Sequence, residues 1–152
     1  MTESSDEKAH SDEKAHEAFI DTNLLLRFLL NDLPQQADAV EDLLKSAAEG
    51  SVILRTNVMV IAELVWTCES FYKLSKQEIR DKVVMILNTP GLRVENHDLL
   101  LQAALLYADQ NIDFIDAYNG CWAKDQRIPL VYTFDQRHYR RIPGITVEAP
   151  GK

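Results

Sequence analysis

Two kinds of hydrophobic pattern take turns along this chain: short continuous apolar runs, and longer stretches whose apolar positions recur near every 3.6 residues. Ala18-Phe19-Ile20-Asp21 is a short apolar run ending in an acid and predicts a strand, with Thr22–Leu30 following at once as a helix. Pro34 stands where a helix start tolerates proline, and Gln35–Glu49 is amphipathic with Gly50 as its stop. Val52–Arg55 predicts a second strand, and Asn57 suits the cap of a helix running to about Tyr72. Ser75-Lys76-Gln77-Glu78 spells a capping box that opens a helix to about Asn88, broken by Pro90-Gly91. Leu92–Glu95 predicts a third strand, and helices follow over about Asp98–Gln110 and Phe114–Asp125. Strands at Leu130–Thr133 and Ile145–Val147 complete the series. Strands alternating with helices predict an α/β fold, a mostly parallel sheet covered by helices.

Ahead of Ala18 the pattern stops. Ser5–His10 (SDEKAH) is repeated without change as Ser11–His16, and residues 1–17 contain no large apolar side chain beyond Met1. Such a segment cannot bury a core, so a disordered acidic tail over 1–17 is expected, followed by one domain over 18–148 and a flexible C-terminus over 149–152. His10 and His16 suit a solvated tail better than a metal site, because no rigid element fixes the two rings. At 152 residues, 46% of them hydrophobic, the chain is long enough to bury a real core. Cys68 and Cys121 lie in apolar stretches without a CxxC pairing, and no secretory leader is evident, which together point to a reducing cytoplasm. The longest apolar runs, Leu24–Leu30 and Val58–Trp66, are short and interrupted by Arg27 and Glu63, so no membrane span is expected.

The formal net charge of −8 at first argues against a nucleic-acid partner. The tail holds six acids and two lysines, however, so half of that charge belongs to it. Several remaining acids are candidates to hold divalent cations, which would offset them locally. Net charge therefore decides little.

The acids carry the chemistry. In an open α/β sheet ligands sit beyond the carboxyl ends of the strands, and Asp21 and Asp135 fall at such positions. Taken singly, Asp21 also suits a helix cap and Asp135 a turn. Glu63 stands in a helix apolar nearly all round, where an ionised carboxylate needs either a buried arginine or a metal. Asp113 and Asp116 share one side of a helix start, Asp113 placed to cap it and Asp116 inside its first turn. A cluster of carboxylates suits hard cations, Mg²⁺ or Mn²⁺, and the lack of paired Cys or His ligands argues against zinc, since His97 and His138 are not spaced for it. Such a site suits metal-assisted phosphodiester cleavage.

Four blocks, in this order and spacing, resemble the PIN-domain ribonucleases, specifically the VapC type of toxin from type II toxin–antitoxin pairs. They are Phe19-Ile20-Asp21-Thr22-Asn23, Ala62-Glu63-Leu64-Val65-Trp66, Asp113-Phe114-Ile115-Asp116-Ala117 and Thr133-Phe134-Asp135. The resemblance implies a three-layer fold whose central, mostly parallel sheet has about five short strands flanked by helices. It also implies Mg²⁺-dependent endoribonuclease activity, a small cognate antitoxin as inhibitor, and a homodimer. Asp21, Glu63, Asp116 and Asp135 match the acidic quartet that binds metal, Asn23 and Thr133 match polar positions that orient the first acid, and Asp113 is common at its position. The duplicated tail is unusual for such a protein.

Immediately after Asp135 comes the densest basic cluster, Arg137-His138-Tyr139-Arg140-Arg141, which either holds RNA phosphates, with Tyr139 stacking on a base, or forms a solvated loop or salt-bridge partner. Lys124 and Arg127 are weaker candidates. Trp66, Phe71 and Tyr72 are either core or an antitoxin groove, and the leucine-rich Leu24–Leu30 helix buries against the sheet or extends into a dimer face. Two other functions compete: a catalytically silent PIN-like module that binds RNA or antitoxin, and a phosphohydrolase acting on small molecules. The latter lacks the second Asp expected two residues after Asp21, where Asn23 stands.

Overall fold

Polar side chains do not keep a segment out of a sheet when a neighbouring strand is ready to pair with it, and the N-terminal end of the fold is such a case. The computed structural model describes residues 16–151. Strand β1 spans His16–Phe19 and pairs in parallel with β2, Val52–Thr56, from His16↔Val52 to Phe19↔Arg55. The hydrophobic pattern starts this strand at Ala18, but the ladder takes in His16 and Glu17 as well. The first hexapeptide copy, His10 and most of the second copy lie outside the described residues.

The elements run β1, α1 (Thr22–Leu30), α2 (Pro34–Ala48), β2, α3 (Val58–Ser70), α4 (Lys76–Leu87), β3 (Leu92–Val94), α5 (His97–Asp109), α6 (Phe114–Asp125), β4 (Leu130–Tyr132) and β5 (Thr146–Glu148). A 3₁₀ turn, Tyr139–Arg141, precedes β5. Helix starts are set by local chemistry. Asn57 Oδ1 accepts from the Val60 N–H at 3.1 Å, and the Ser75/Glu78 pair forms its capping box in both directions, at 3.2 and 2.8 Å. Gly91, with φ +80°, turns the chain into β3 so close to the Ala47 backbone that a Cβ would collide with it.

Among the described residues every strand pairing is parallel, but the strands form two sheets, β1-β2-β3 and β4-β5, in place of the single sheet of about five. β4 and β5 satisfy one another: their ladder is extended by Thr146 N–H to Pro129 O (2.8 Å) and Thr133 N–H to Glu148 O (3.0 Å). Among the described residues no ladder joins β1 to β4.

Strand alternation decides where the core sits. Ile20, Leu54, Thr56, Leu92 and Val94 are buried, and the core cluster around them includes Leu25, Ile61, Leu64, Ile86, Leu100 and Tyr107 from the helices. The alternate positions Glu17, Phe19, Arg55 and Arg93 are exposed. The leucine-rich α1 spends most of itself on this core, with Leu25 and Leu26 buried and Leu24, Phe28, Leu29 and Leu30 packed against it. Cys68 and Cys121 are buried free thiols whose pKa is raised by burial. No helix among the described residues is long and apolar enough to cross a membrane.

Candidate active site

Asp21 follows Ile20 at the carboxyl end of β1 and caps α1, its Oδ1 accepting from the Leu24 N–H at 3.1 Å. The cap and the expected metal-binding position coincide, so the two meanings open to this residue in the sequence are compatible. Two buried threonines fix the corner. Thr56 at the end of β2 donates its hydroxyl to Ile20 O (2.9 Å), and Thr22 donates to Val60 O at the start of α3 (3.4 Å). Asn23, expected to orient Asp21, is exposed and makes no side-chain hydrogen bond among the described residues.

Asp116 lies in the first turn of α6, which Asp113 caps by accepting from the Asp116 N–H at 3.4 Å. One Asp116 oxygen meets His138 Nδ1 at 3.0 Å, with both side chains mostly buried. The Asp113 N–H also points at that nitrogen, at 3.4 Å. A carboxylate only accepts, so the shorter contact is a hydrogen bond in the tautomer with the proton on Nδ1, and the longer one in the tautomer without it. Beside it the Tyr139 hydroxyl accepts from Asn119 Nδ2 at 3.3 Å. Burial chiefly pushes that phenol up, the Asn119 bond works against it, and the Asp116 charge adds to the rise.

The loop that delivers α6 is held from outside. Lys76 Nζ donates to Ile112 O at 3.1 Å and sits 4.5 Å over the Tyr107 ring, and Arg141 Nη1 donates to Asn111 O at 2.8 Å. Burial lowers the Lys76 pKa, against the opposing pull of Glu69 and Asp113.

Asp135 is exposed in a tight turn. Its N–H donates to Thr133 Oγ1 (3.1 Å), and the Thr133 hydroxyl donates back to Asp135 O (3.2 Å). Thr133 therefore shapes the Asp135 turn and forms no hydrogen bond to Asp21.

Glu63 departs most from expectation. It is exposed, not buried, and stands with Met59, Trp66 and Ser70 on the outer line of α3, while Val60, Ile61, Leu64, Val65 and Cys68 face the core. The helix carries more apolar residues than it buries: Met59 is 75% and Trp66 65% exposed. Exposed to water, the Glu63 carboxylate needs no cation to offset burial. No arginine or lysine pairs with it among the described residues, so its carboxylate is uncommitted. α3 and α6 together line a small apolar cleft of ≈ 200 Å³, with Met59 and Ala62 on one wall and Phe114, Ile115 and Tyr118 on the other. Glu63 and Asp116 are on the same two helices without lining the cleft.

Among the described residues no three Asp, Glu, His or Cys side chains gather closely enough to hold an ion outright. The four expected acids are thus not gathered into an ion-holding cluster. Their chemistry still fits Mg²⁺, an oxygen-seeking ion that keeps several waters and needs only one or two carboxylates directly.

The PIN domain profile matches residues 18–144. The chain belongs to the PIN-domain family. It is similar to a VapC ribonuclease of Aquifex aeolicus (strain VF5), 29% identical over 118 residues, which cover 78% of this chain and 87% of the relative.

In this PIN domain the basic cluster after Asp135 divides by role. Arg141 also serves the Asn111 carbonyl and His138 also meets Asp116, each through one of its nitrogens. Arg140 pairs with Gln136, while Arg137 is exposed and unpaired among the described residues. Lys124 holds Pro143 O at 2.9 Å. Sequence reading missed Thr22, Thr56 and Lys76 as positioning residues. A threonine directly after Asp21, and another ending the adjacent strand, were the available signals; nothing in sequence marked Lys76.

Proposed function

We propose that this PIN domain is a divalent-metal-dependent endoribonuclease and the toxin of a toxin–antitoxin pair. The carrying observation is that Asp21 and Asp116 each stand at a helix N-terminus with a fixed carboxylate, Asp21 held by the Leu24 N–H and Asp116 by the His138 ring. Asp21, Glu63, Asp116 and Asp135 would hold Mg²⁺ or Mn²⁺. The ion, when bound, supplies an activated water and stabilises the leaving oxygen. His138 donates to Asp116 and fixes its rotamer, and Arg137 and Arg140 offer positive charge to RNA phosphates next to Asp135. The similarity to a VapC ribonuclease supports the substrate class.

On this reading the exposed outer line of α3, with Trp66 and with Phe71 at 74% exposure just beyond it, is the surface for a small antitoxin. Tyr72 is not part of that surface in the same way, since its hydroxyl accepts from Arg27 at 3.3 Å. A homodimer and a cytoplasmic setting belong to the same proposal.

Purified protein is expected to cleave structured RNA with Mg²⁺ or Mn²⁺, and EDTA or Asp116→Asn to reduce cleavage at least about 100-fold. Cleavage that survives both would sink the mechanism. The spread of the acids favours one second reading, a silent module that binds RNA or antitoxin. Wild-type and Asp21→Asn proteins that bind RNA equally, with neither cleaving, would establish it.

A further inference from the structure

The ladder that aligns the three-stranded sheet also aligns three exposed side chains that the acidic site leaves unused. Phe19 on β1 is opposite Arg55 on β2, and Arg55 is opposite Arg93 on β3. Residues opposite one another in a ladder point to the same face, so the three form one row of about 10 Å across strands spaced about 4.8 Å apart. The row lies on the face turned away from the core. Phe19 is 61% exposed, the Arg55 side chain 63%, and Arg93 is exposed as well. A polar depression of ≈ 430 Å³ lies over it, bordered also by Asn57 and Glu95.

We propose that Phe19, Arg55 and Arg93 form a track for single-stranded RNA that leads to Asp21; this rests on the nuclease reading above. Three features favour that occupant. An exposed aromatic ring beside two guanidinium groups is the combination that stacks a base and holds adjacent phosphates, and an open sheet face presents it flat. The two arginines stand in register in a chain of net charge −8, so they offer a local complement to phosphate that the molecule as a whole does not. The row is also continuous with the site, because Phe19 is two residues before Asp21. Two acids face it. Glu17 reaches Arg55 at 3.8 Å, a long contact between well-exposed groups that a phosphate can displace, and Glu95 limits the cationic row at the β3 side. A row this narrow suits one strand and not a duplex.

The test is binding of a short fluorescein-labelled single-stranded RNA in EDTA, followed by anisotropy across a salt series, with the same sequence as a duplex for comparison. Phe19→Ala is expected to weaken single-strand binding roughly 5- to 30-fold without changing the salt slope, and Phe19→Trp to restore it. Arg55→Gln with Arg93→Gln is expected to flatten the slope of log K against log salt by about 1.4, or about 0.7 for each lost phosphate contact. Duplex binding should ignore Phe19→Ala. All three positions are exposed, so thermal midpoints should hold and report intact folding. Wild-type affinity in the triple variant overturns the track while leaving the nuclease reading standing. If the triple variant keeps RNA binding and cleavage but escapes a protein inhibitor, the row belongs to a protein and the track is likewise overturned. A wild-type protein that neither binds nor cleaves RNA overturns the nuclease reading itself, and the track with it.

Discussion

The corner around Asp21 is built into the core: strand pairing, the Asp21 cap on the Leu24 N–H, and two buried hydroxyls that bond carbonyls of adjacent elements. The corner around Asp116 is held by side chains arriving from afar. His138 comes from 22 residues away, and Lys76, 36 residues from Ile112, and Arg141, 30 from Asn111, pin the preceding loop. Carboxylates expected to share one task are thus positioned by different means. A scaffold buried in the core fails only when the fold fails, whereas a clamp of part-exposed side chains can be loosened while the fold persists. Stability and activity should therefore separate at Asp116 and stay linked at Asp21.

The largest stability effect is expected from Thr56→Val, which leaves the buried Ile20 carbonyl without its hydroxyl donor and should cost about 2 kcal/mol in urea unfolding. Per folded molecule, cleavage should stay near wild type; a folded but inactive Thr56→Val protein would break the comparison. Lys76→Met removes the Ile112 bond and the charge over Tyr107, and should cost about 1 kcal/mol of stability. Its cleavage rate should fall further than that loss explains, about tenfold, as the α6 loop shifts. His138→Ala sharpens the contrast, with an expected tenfold fall in activity and a stability change within about 0.5 kcal/mol; His138→Asn, which retains a donor, should recover part of the rate. The smallest effect belongs to Trp66→Ala on the exposed line of α3, within about 0.5 kcal/mol by thermal unfolding and without change in cleavage. A large stability loss there would place Trp66 in the core after all.

Several features were legible before any coordinates because they depend on neighbours in sequence. The capping box at Ser75, the caps at Asn57 and Asp113, and the turn at Gly91 each involve residues within a few positions of one another. The order of strands and helices followed from hydrophobic period for the same reason. The burial of Glu63 was misjudged because an apolar helix announces how much it could bury, while its packing partners decide how much it does; α3 leaves Met59 and Trp66 outside. The start of β1 at His16 was hidden because β2, 36 residues on, supplies the ladder that holds polar residues in a strand.

The sequence by itself determined which acids stand at strand ends and helix starts, and their order marks a PIN domain, since caps, turns and periodicity are local physics. Only the tertiary structure decided what each acid touches. His138 against Asp116, Lys76 and Arg141 on the α6 loop, and the row Phe19–Arg55–Arg93 on the open face all join segments whose separation along the chain carries no information about their distance in space. That distance is set by how the layers pack.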